Sequence, residues 1–401
     1  MKIGGLDWIE SIDVDFYGNS SCAFASLEML SFSNMKEWKE WQCMTGAFPN
    51  LQDLSLNDCP KLKGHLPEQL SHLKHLTIHK CEQLVASIPR AVEIEGVKME
   101  PSSFDMIGPL VSHTPLECLH IDYCPGMNIP INHYYHLLLE LRIIHGCDSF
   151  TIFPLDLFPK LRMLELYECR NLRTILQGHP HNHLKSLIIE KCSQFESFPN
   201  EGLFAPQLLT IWIMGSEKLK SMPKRMCANL PSLDLMIIDD CPGVKLSEGC
   251  LPSNLKELRI LNCPKLVVSL KEALSVNHSL RVLRISSEDI ESFPDEGLLP
   301  LSLTTIDIDN CPMLTKLDYR GLCHLSSLQE LILHRCPILQ SLSEEGLPES
   351  ISILKISDSP LLQQLYNKQE GENWEKIAPI KTIWFDYEQV NIEDEAQVGN
   401  Y

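Results

Sequence analysis

Residues 255–266 read LKELRILNCPKL, with leucine or isoleucine at the first, fourth and sixth places, cysteine at the ninth and leucine at the twelfth. The phrase returns as LQDLSLNDC at 51–59, LKHLTIHKC at 73–81, LECLHIDYC at 116–124, LRMLELYEC at 161–169 and LKSLIIEKC at 184–192. It continues as LDLMIIDDC at 233–241, LTTIDIDNC at 303–311 and LQELILHRC at 328–336. Looser copies begin at Leu27, Leu138 (with one extra residue), Leu208, Leu280, Ile351 and Ile380. Starts fall mostly 22 to 25 residues apart, and a chance apolar run would not keep that register.

Within such a phrase, residues alternate between the two faces of a strand, so Leu258 and Ile260 are expected inward and Glu257, Arg259 and Leu261 outward. One copy cannot bury its own leucines. Stacking copies about 4.8 Å apart buries them and builds a parallel sheet. A period in this range with L-x-x-L-x-L-x-x-N/C is the signature of a leucine-rich repeat. The expected fold is therefore an α/β-type repeat solenoid, a leucine-rich-repeat horseshoe with a concave parallel β-sheet. Pro, Gly and acidic residues interrupt the intervening segments too often for long helices, so the convex side should hold loops and short 3₁₀ turns.

Ten cysteines share the ninth place: Cys59, Cys81, Cys124, Cys147, Cys169, Cys192, Cys241, Cys263, Cys311 and Cys336. That site sits where the chain turns away from the strand, and a compact, weakly donating side chain can serve buried backbone groups there. A structural role follows, without disulfides or metal. The chain has 401 residues, 44% hydrophobic and 22% charged, enough apolar material for a continuous core. A formal net charge of −19 repels phosphate backbones, so nucleic acid is not an expected partner. No apolar run reaches the roughly 20 residues of a membrane span, and no apolar stretch follows Lys2 as in a signal peptide. A soluble, cytoplasmic protein is expected.

The organisation expected from these signals is a partial repeat over 1–26, about 15 repeats over 27–388 with an irregular insertion near 95–112, and an acidic disordered tail over 389–401. The opening KIGGLDWIESI reads as the back half of a repeat, with no cap before the first stack.

Several phrases go beyond the bare repeat: the recurring EGLP, LPSNLKEL and FPDEGLLP segments, LDYRGLCHLSSLQEL, and the late GENWEKIAPIKTIWFDYE. With the Cys-containing repeats, they resemble the C-terminal repeat region of plant coiled-coil nucleotide-binding leucine-rich-repeat (NB-LRR) disease resistance proteins. The resemblance covers nearly the whole chain. It implies a region that senses pathogen effectors or guarded host proteins and restrains a nucleotide-binding domain in its ADP-bound state. The chain departs from that family in lacking a G-x-x-x-x-G-K-[ST] loop, so no ADP or ATP site is expected here. A substrate adaptor of an F-box type ubiquitin ligase is the alternative, since such adaptors also carry Cys-containing repeats.

Solenoids recognise partners on their outward strand positions. One such column reads Ser55, Thr77, His120, Arg142, Glu165, Ile188, Trp212, Ile237, Arg259, Arg284, Asp307, Ile332, Lys355 and Trp384. From it and its neighbours, Tyr123, Tyr167, Trp212, Arg259, Arg284, Asp307, Arg335, Lys355 and Trp384 are candidate protein-binding residues, because Trp, Tyr and Arg dominate interface anchors. Arg259 and Arg284 suit an acidic partner surface. The HPHNH run at 179–183 lacks companion ligands for a metal, and Asp307 with Asp309 lacks a nucleophile or pocket for catalysis, so both read as ordinary surface and no enzyme activity is expected. The sequons at Asn19 and Asn277 matter only in a secreted protein.

Overall fold

The computed structural model describes residues 1–18, 23–64, 66–67, 70–84, 115–127, 129, 134–148, 150–246, 251–270, 273–274, 277–342, 346–367, 371 and 373–390. The insertion expected near 95–112 and residues 391–401 lie outside these. Two compact units divide the chain, Met1–Leu208 and Leu209–Tyr401.

Each unit is a leucine-rich-repeat solenoid. In the first, one parallel ladder runs through β1 (Lys2–Gly4), β2 (Met29–Ser33), β3 (Asp53–Asn57), β4 (His75–His79), β5 (Cys118–Asp122), β6 (Glu140–Ile144), β7 (Met163–Tyr167) and β8 (Ser186–Glu190). In the second, it runs through β9 (Thr210–Met214), β10 (Leu235–Asp239), β11 (Glu257–Leu261), β12 (Val282–Ser286), β13 (Thr305–Asp309), β14 (Glu330–His334), β15 (Ile353–Ser357) and β16 (Thr382–Phe385). Burial alternates along these strands as the pleat requires. Leu258 and Ile260 are fully enclosed while Glu257, Arg259 and Leu261 remain partly open.

The turn after each strand has a feature the leucine pattern does not announce. In most phrases, though not at Ser287, the eighth residue takes a left-handed conformation, with φ of 55° at Asp58, 50° at Lys80, 50° at Tyr123, 52° at Asn262 and 50° at Arg335. This conformation aims its N–H at the seventh residue of the next repeat. Asp58 N donates to His79 O at 2.8 Å, Tyr123 N to Ile144 O at 2.8 Å, and Arg335 N to Ser357 O at 3.0 Å. In these repeats the ladder thus gains one bond beyond the strand, which offsets the cost of a positive φ at a residue with a Cβ. The chain then closes a tight turn from the ninth residue to the twelfth, as in Leu266 N to Cys263 O at 3.0 Å, which seats the twelfth-place leucine in the core.

On the opposite side of the coil lie short strand pairs, Ile152–Pro154 with Thr174–Leu176 and Ser292–Phe293 with Lys316–Leu317. Beside one 3₁₀ turn at Leu155–Leu157 there are short α-helical segments as well, such as Pro264–Ser269 and Pro360–Leu365. Proline fits the first helical position because its missing N–H would be unpaired there anyway.

Both chain ends differ from expectation. Lys2–Gly4, read as the back half of a repeat, is a strand in register with Ser31–Ser33, because Met1–Gly5 is extended and the β2 edge offers free ladder groups. Gln389 and Val390, assigned to a disordered tail, instead close the second sheet. Glu388–Gln389 form β17, antiparallel to Trp384–Phe385, and Val390 N donates to Ile383 O at 3.0 Å. This hairpin covers a strand edge that would otherwise be open for pairing.

Candidate protein-interaction surface

Because the ladder is unbroken within each unit, the fifth residues of successive phrases form a straight column on the open face of the sheet. In the first unit the register links Ser55, Thr77, His120, Arg142, Glu165 and Ile188. In the second it links Trp212, Ile237, Arg259, Arg284, Asp307, Ile332, Lys355 and Trp384. The third and seventh residues flank these columns, with the eighth on the turn above. Tyr123 and Arg335, expected on the strands, occupy that left-handed turn position instead. A concentration of Asn and Asp at the eighth place, as at Asn34, Asp58, Asp240, Asn262, Asn310 and Asp358, is the sequence signal for it.

The second unit's face is held by fixed charges. Asp309 is 4% exposed and clamped from two repeats. Arg335 donates to both of its oxygens at 2.7 Å, and Arg284 donates to Oδ2 at 2.6 Å. Burial by itself would raise the Asp309 pKa, but the hydrogen bonds from Arg335 and Arg284 outweigh it and hold the carboxyl below its usual range. Asp307 lies 3.4 Å from Arg284 Nε, yet burial raises its pKa and its Oδ1 is enclosed without a hydrogen-bond partner. The expectation that these two aspartates are solvated is therefore corrected: the arginines of neighbouring strands cover them. Arg259 pairs with Glu257 at 2.5 Å and Lys355 with Glu330 at 2.7 Å. The expected arginine patch for an acidic partner is thus already engaged within the chain.

At one end of that face Trp212 is half-buried and its Nε1 is enclosed without a partner. Ile237, in register beside it, is 8% exposed. Asp239, two residues along the strand, has its pKa raised, by burial first and by the charge of Asp240 second. At the other end Trp384 is half-buried beside Lys355.

The first unit's face pairs carboxylates with histidines. His75 Nδ1 lies 2.6 Å from Asp53 Oδ1, His79 Nδ1 2.5 Å from Asp122 Oδ2, and His145 Nδ1 3.2 Å from Glu168 Oε2. The Tyr123 ring sits between those of His79 and His145, at centroid distances of 6.3 and 5.1 Å. His120 Nε2 and Asp122 Oδ1 are enclosed without partners. Arg142 lies 3.4 Å from Glu165 and 5.5 Å from the centre of the Tyr167 ring. Sequence reasoning missed this histidine belt, since its members fall at the third, fifth, seventh and eighth places of different phrases. Only the register brings them together.

The charges can be compared place by place over the third, fifth, seventh and eighth positions. Strands β2–β8 carry seven carboxylates (Asp53, Glu140, Glu165, Asp122, Glu190, Asp58, Glu168), three cations (Arg142, Lys80, Lys191) and four histidines. Strands β9–β15 carry seven carboxylates, four cations (Arg259, Arg284, Arg335, Lys355) and the single histidine His334.

All ten ninth-place cysteines are buried free thiols. Cys263 Sγ donates to Leu261 O at 3.1 Å and accepts from Cys241 N at 3.3 Å, so one thiol serves backbone groups of two repeats. Where serine replaces cysteine, Ser359 Oγ accepts from Cys336 N at 3.1 Å in the same manner. Burial pushes the Cys147 thiol up to about 12. In the HPHNH run, His181 is buried, with Nε2 at 2.8 Å from Phe158 O and Nδ1 accepting from Leu184 N, and burial lowers its pKa. Asn277 is 4% exposed and its amide is used by Pro252 O, Ser279 N and Leu280 N, which leaves no acceptor for a glycan. Asn19 lies outside the described residues. Among the described residues no group of three or more His, Cys, Asp or Glu could hold a metal ion, and no helix is long and apolar enough to cross a membrane.

A column of large, diverse side chains on a stacked parallel sheet is a recognition surface in form, and relatives place it in context. A disease resistance protein of Arabidopsis thaliana is 32% identical over 263 residues, covering 62% of this chain and 17% of that protein. The chain is similar to plant disease resistance proteins. A second Arabidopsis relative, disease resistance RPP13-like protein 1, is 26% identical over 55% of this chain and 18% of its own length. A third, disease resistance protein RF9, is 27% identical over 39% of this chain and 14% of its own length. This resistance-protein-like array thus spans under a fifth of each of them. No family model matches it. Among solved structures, the leucine-rich repeat domain of the type III effector XopL is 19% identical with a TM-score of 0.43, covering 59% of this chain and 75% of that one. A circular leucine-rich repeat protein, CroV588, is 14% identical with a TM-score of 0.26, covering 89% of this chain and 69% of that one.

Proposed function

We propose that the chain is the protein-binding repeat region of a plant intracellular, cytoplasmic immune receptor of the coiled-coil NB-LRR class. Its open sheet face recognises a pathogen effector or a guarded host protein, and the region restrains a nucleotide-binding domain supplied elsewhere. It performs no chemistry of its own and holds no cofactor; ADP or ATP belongs to that other domain. The observation that carries the reading is the fifth-place column, which puts Trp212, Trp384 and a row of charged side chains on one face, in a chain similar to disease resistance proteins. A bound partner shifts the receptor only through its differential affinity for the restrained and released states.

The test joins the chain behind the coiled coil and nucleotide-binding domain of an Arabidopsis relative and measures ADP release. Restraint is expected to slow release. The Trp212→Ala and Trp384→Ala variants, folded as judged by circular dichroism, should change partner-stimulated release while leaving the basal rate alone. Unchanged release with and without the repeat region would overturn the restraining role.

A further inference from the structure

We propose that the open face of β9–β11 is a docking site for an arginine of a partner protein, whose guanidinium meets Asp239 and whose stem lies over Trp212 and Ile237. The inference rests on the reading of the open face as the binding surface and names the partner chemistry that one end of it fits.

The outward places of these three strands differ from those of the rest of the second unit. Trp212, Met214, Leu235, Ile237 and Leu261 are apolar, and Trp212 faces Ile237 directly in register. On β12–β15 the apolar outward residues stand apart. Val282 lies between Glu257 and Thr305, Ile332 between Asp307 and Lys355, and Ile353 between Glu330 and Thr382. The apolar surface is therefore continuous at one end of this sheet and broken along the rest of it, and a continuous apolar patch on a folded surface marks a place of contact.

Inside that patch Asp239 lies in register between Met214 and Leu261, two residues along the strand from Ile237. Among the described residues no cation pairs with it. Arg259 is turned back to Glu257 of its own strand, away from the end at which Asp239 lies, and Arg284 is taken by Asp307 and Asp309. By contrast, the outward carboxylates of β11–β14, namely Glu257, Asp307, Asp309 and Glu330, each have a cation. A half-buried carboxylate framed by apolar side chains gains more than an exposed one from a cation brought by a partner, because little water remains to screen the pair. The raised pKa of Asp239, due first to burial, reports the same shortage of water and of countercharge. Two residues of strand span about 7 Å, a distance that the stem of an arginine bridges. Arginine suits the site better than lysine, since its flat, weakly hydrated guanidinium stacks on an indole and bonds a carboxylate through two N–H groups at once. Asp240, exposed on the adjoining turn, adds a second negative charge to draw it in.

The experiment uses the full chain and the acetylated, amidated peptide Gly-Leu-Arg-Leu-Gly, followed through indole and methyl NMR signals. A second peptide carries citrulline in place of arginine, which keeps the shape and removes the charge. The arginine peptide is expected to move the signals of Trp212, Ile237 and Leu261 and to bind about tenfold more tightly than the citrulline peptide. Asp239→Asn should remove that preference while leaving citrulline binding unchanged, and Ile237→Ala should weaken both peptides, each variant being checked for folding by circular dichroism. Glu330→Gln, farther along the sheet, should change neither. A preference for arginine that survives Asp239→Asn would overturn the inference, as would the absence of any shift at millimolar peptide. Shifts gathered around Trp384 would overturn it as well, yet leave the open-face reading standing. Shifts only on the opposite side of the coil would sink both.

Discussion

The two units share one phrase and one kind of ladder but surround their outward carboxylates with different partners. The first sets histidine beside carboxylates, as in His79 with Asp122, as well as cations such as Arg142 with Glu165, and the second uses arginine and lysine, as in Arg335 and Arg284 with Asp309. An arginine pair keeps its charges at every ordinary pH, whereas a histidine pair is an ion pair only while the ring is protonated. One repeat architecture therefore carries two different sets of outward polar pairs. The backbone is indifferent to the choice, because outward places contribute little to the leucine core.

That comparison can be broken in several ways, the harshest of which tests the shared core. Leu258→Asp buries an unpaired charge between two strands and should cost more than about 4 kcal/mol, seen as loss of the denaturant transition of the second unit. If it unfolded no more easily than a face variant such as Glu257→Gln, the inward and outward assignments would be reversed. Next, Asp309→Asn removes the anion shared by two arginines and should destabilise that unit by about 1 to 3 kcal/mol in urea. A neutral outcome would mean that the clamp is decorative.

The clamp on Asp309 sets a pH window of its own. Asp309 has its folded pKa lowered, so its stabilisation is present above the ordinary carboxylate range and is lost only as pH falls through the lowered value, below about 4. Acidifying from pH 7.5 to 5 should therefore leave the Arg335 Nε–H signal fixed. Movement of Arg335 above pH 5 would mean that the clamp does not hold Asp309 ionised. A smaller effect is expected from Trp212→Phe, which removes an enclosed N–H without a partner and should leave stability unchanged or raised by up to about 1 kcal/mol. The smallest concerns the turn common to both units: Lys80→Asn relieves a left-handed lysine and should add about 0.5 kcal/mol, measured as a shift in urea midpoint.

How much was legible beforehand depends on which contacts a residue makes. The inward leucines, the ninth-place cysteines and the fifth-place column could be read directly, since each obeys the strand alternation and the repeat period. The ion pairs of Arg284 could not be read because a single phrase does not show that the next strand supplies Asp307 and Asp309, whereas Arg259 pairs with Glu257 of its own phrase. Tyr123 and Arg335 were set on strands because the leucine spacing ends at the sixth place and leaves the eighth unmarked.

By itself, then, the sequence determined the repeat, its parallel sheet and the inward and outward sides of the strand in each recognised phrase, because those follow from a period of two inside a period of 22 to 25 residues. Only the tertiary structure decided which outward side chains meet. Pairings such as His79 with Asp122, 43 residues apart, exist solely because stacking sets those strands side by side, a neighbourhood that no local pattern encodes.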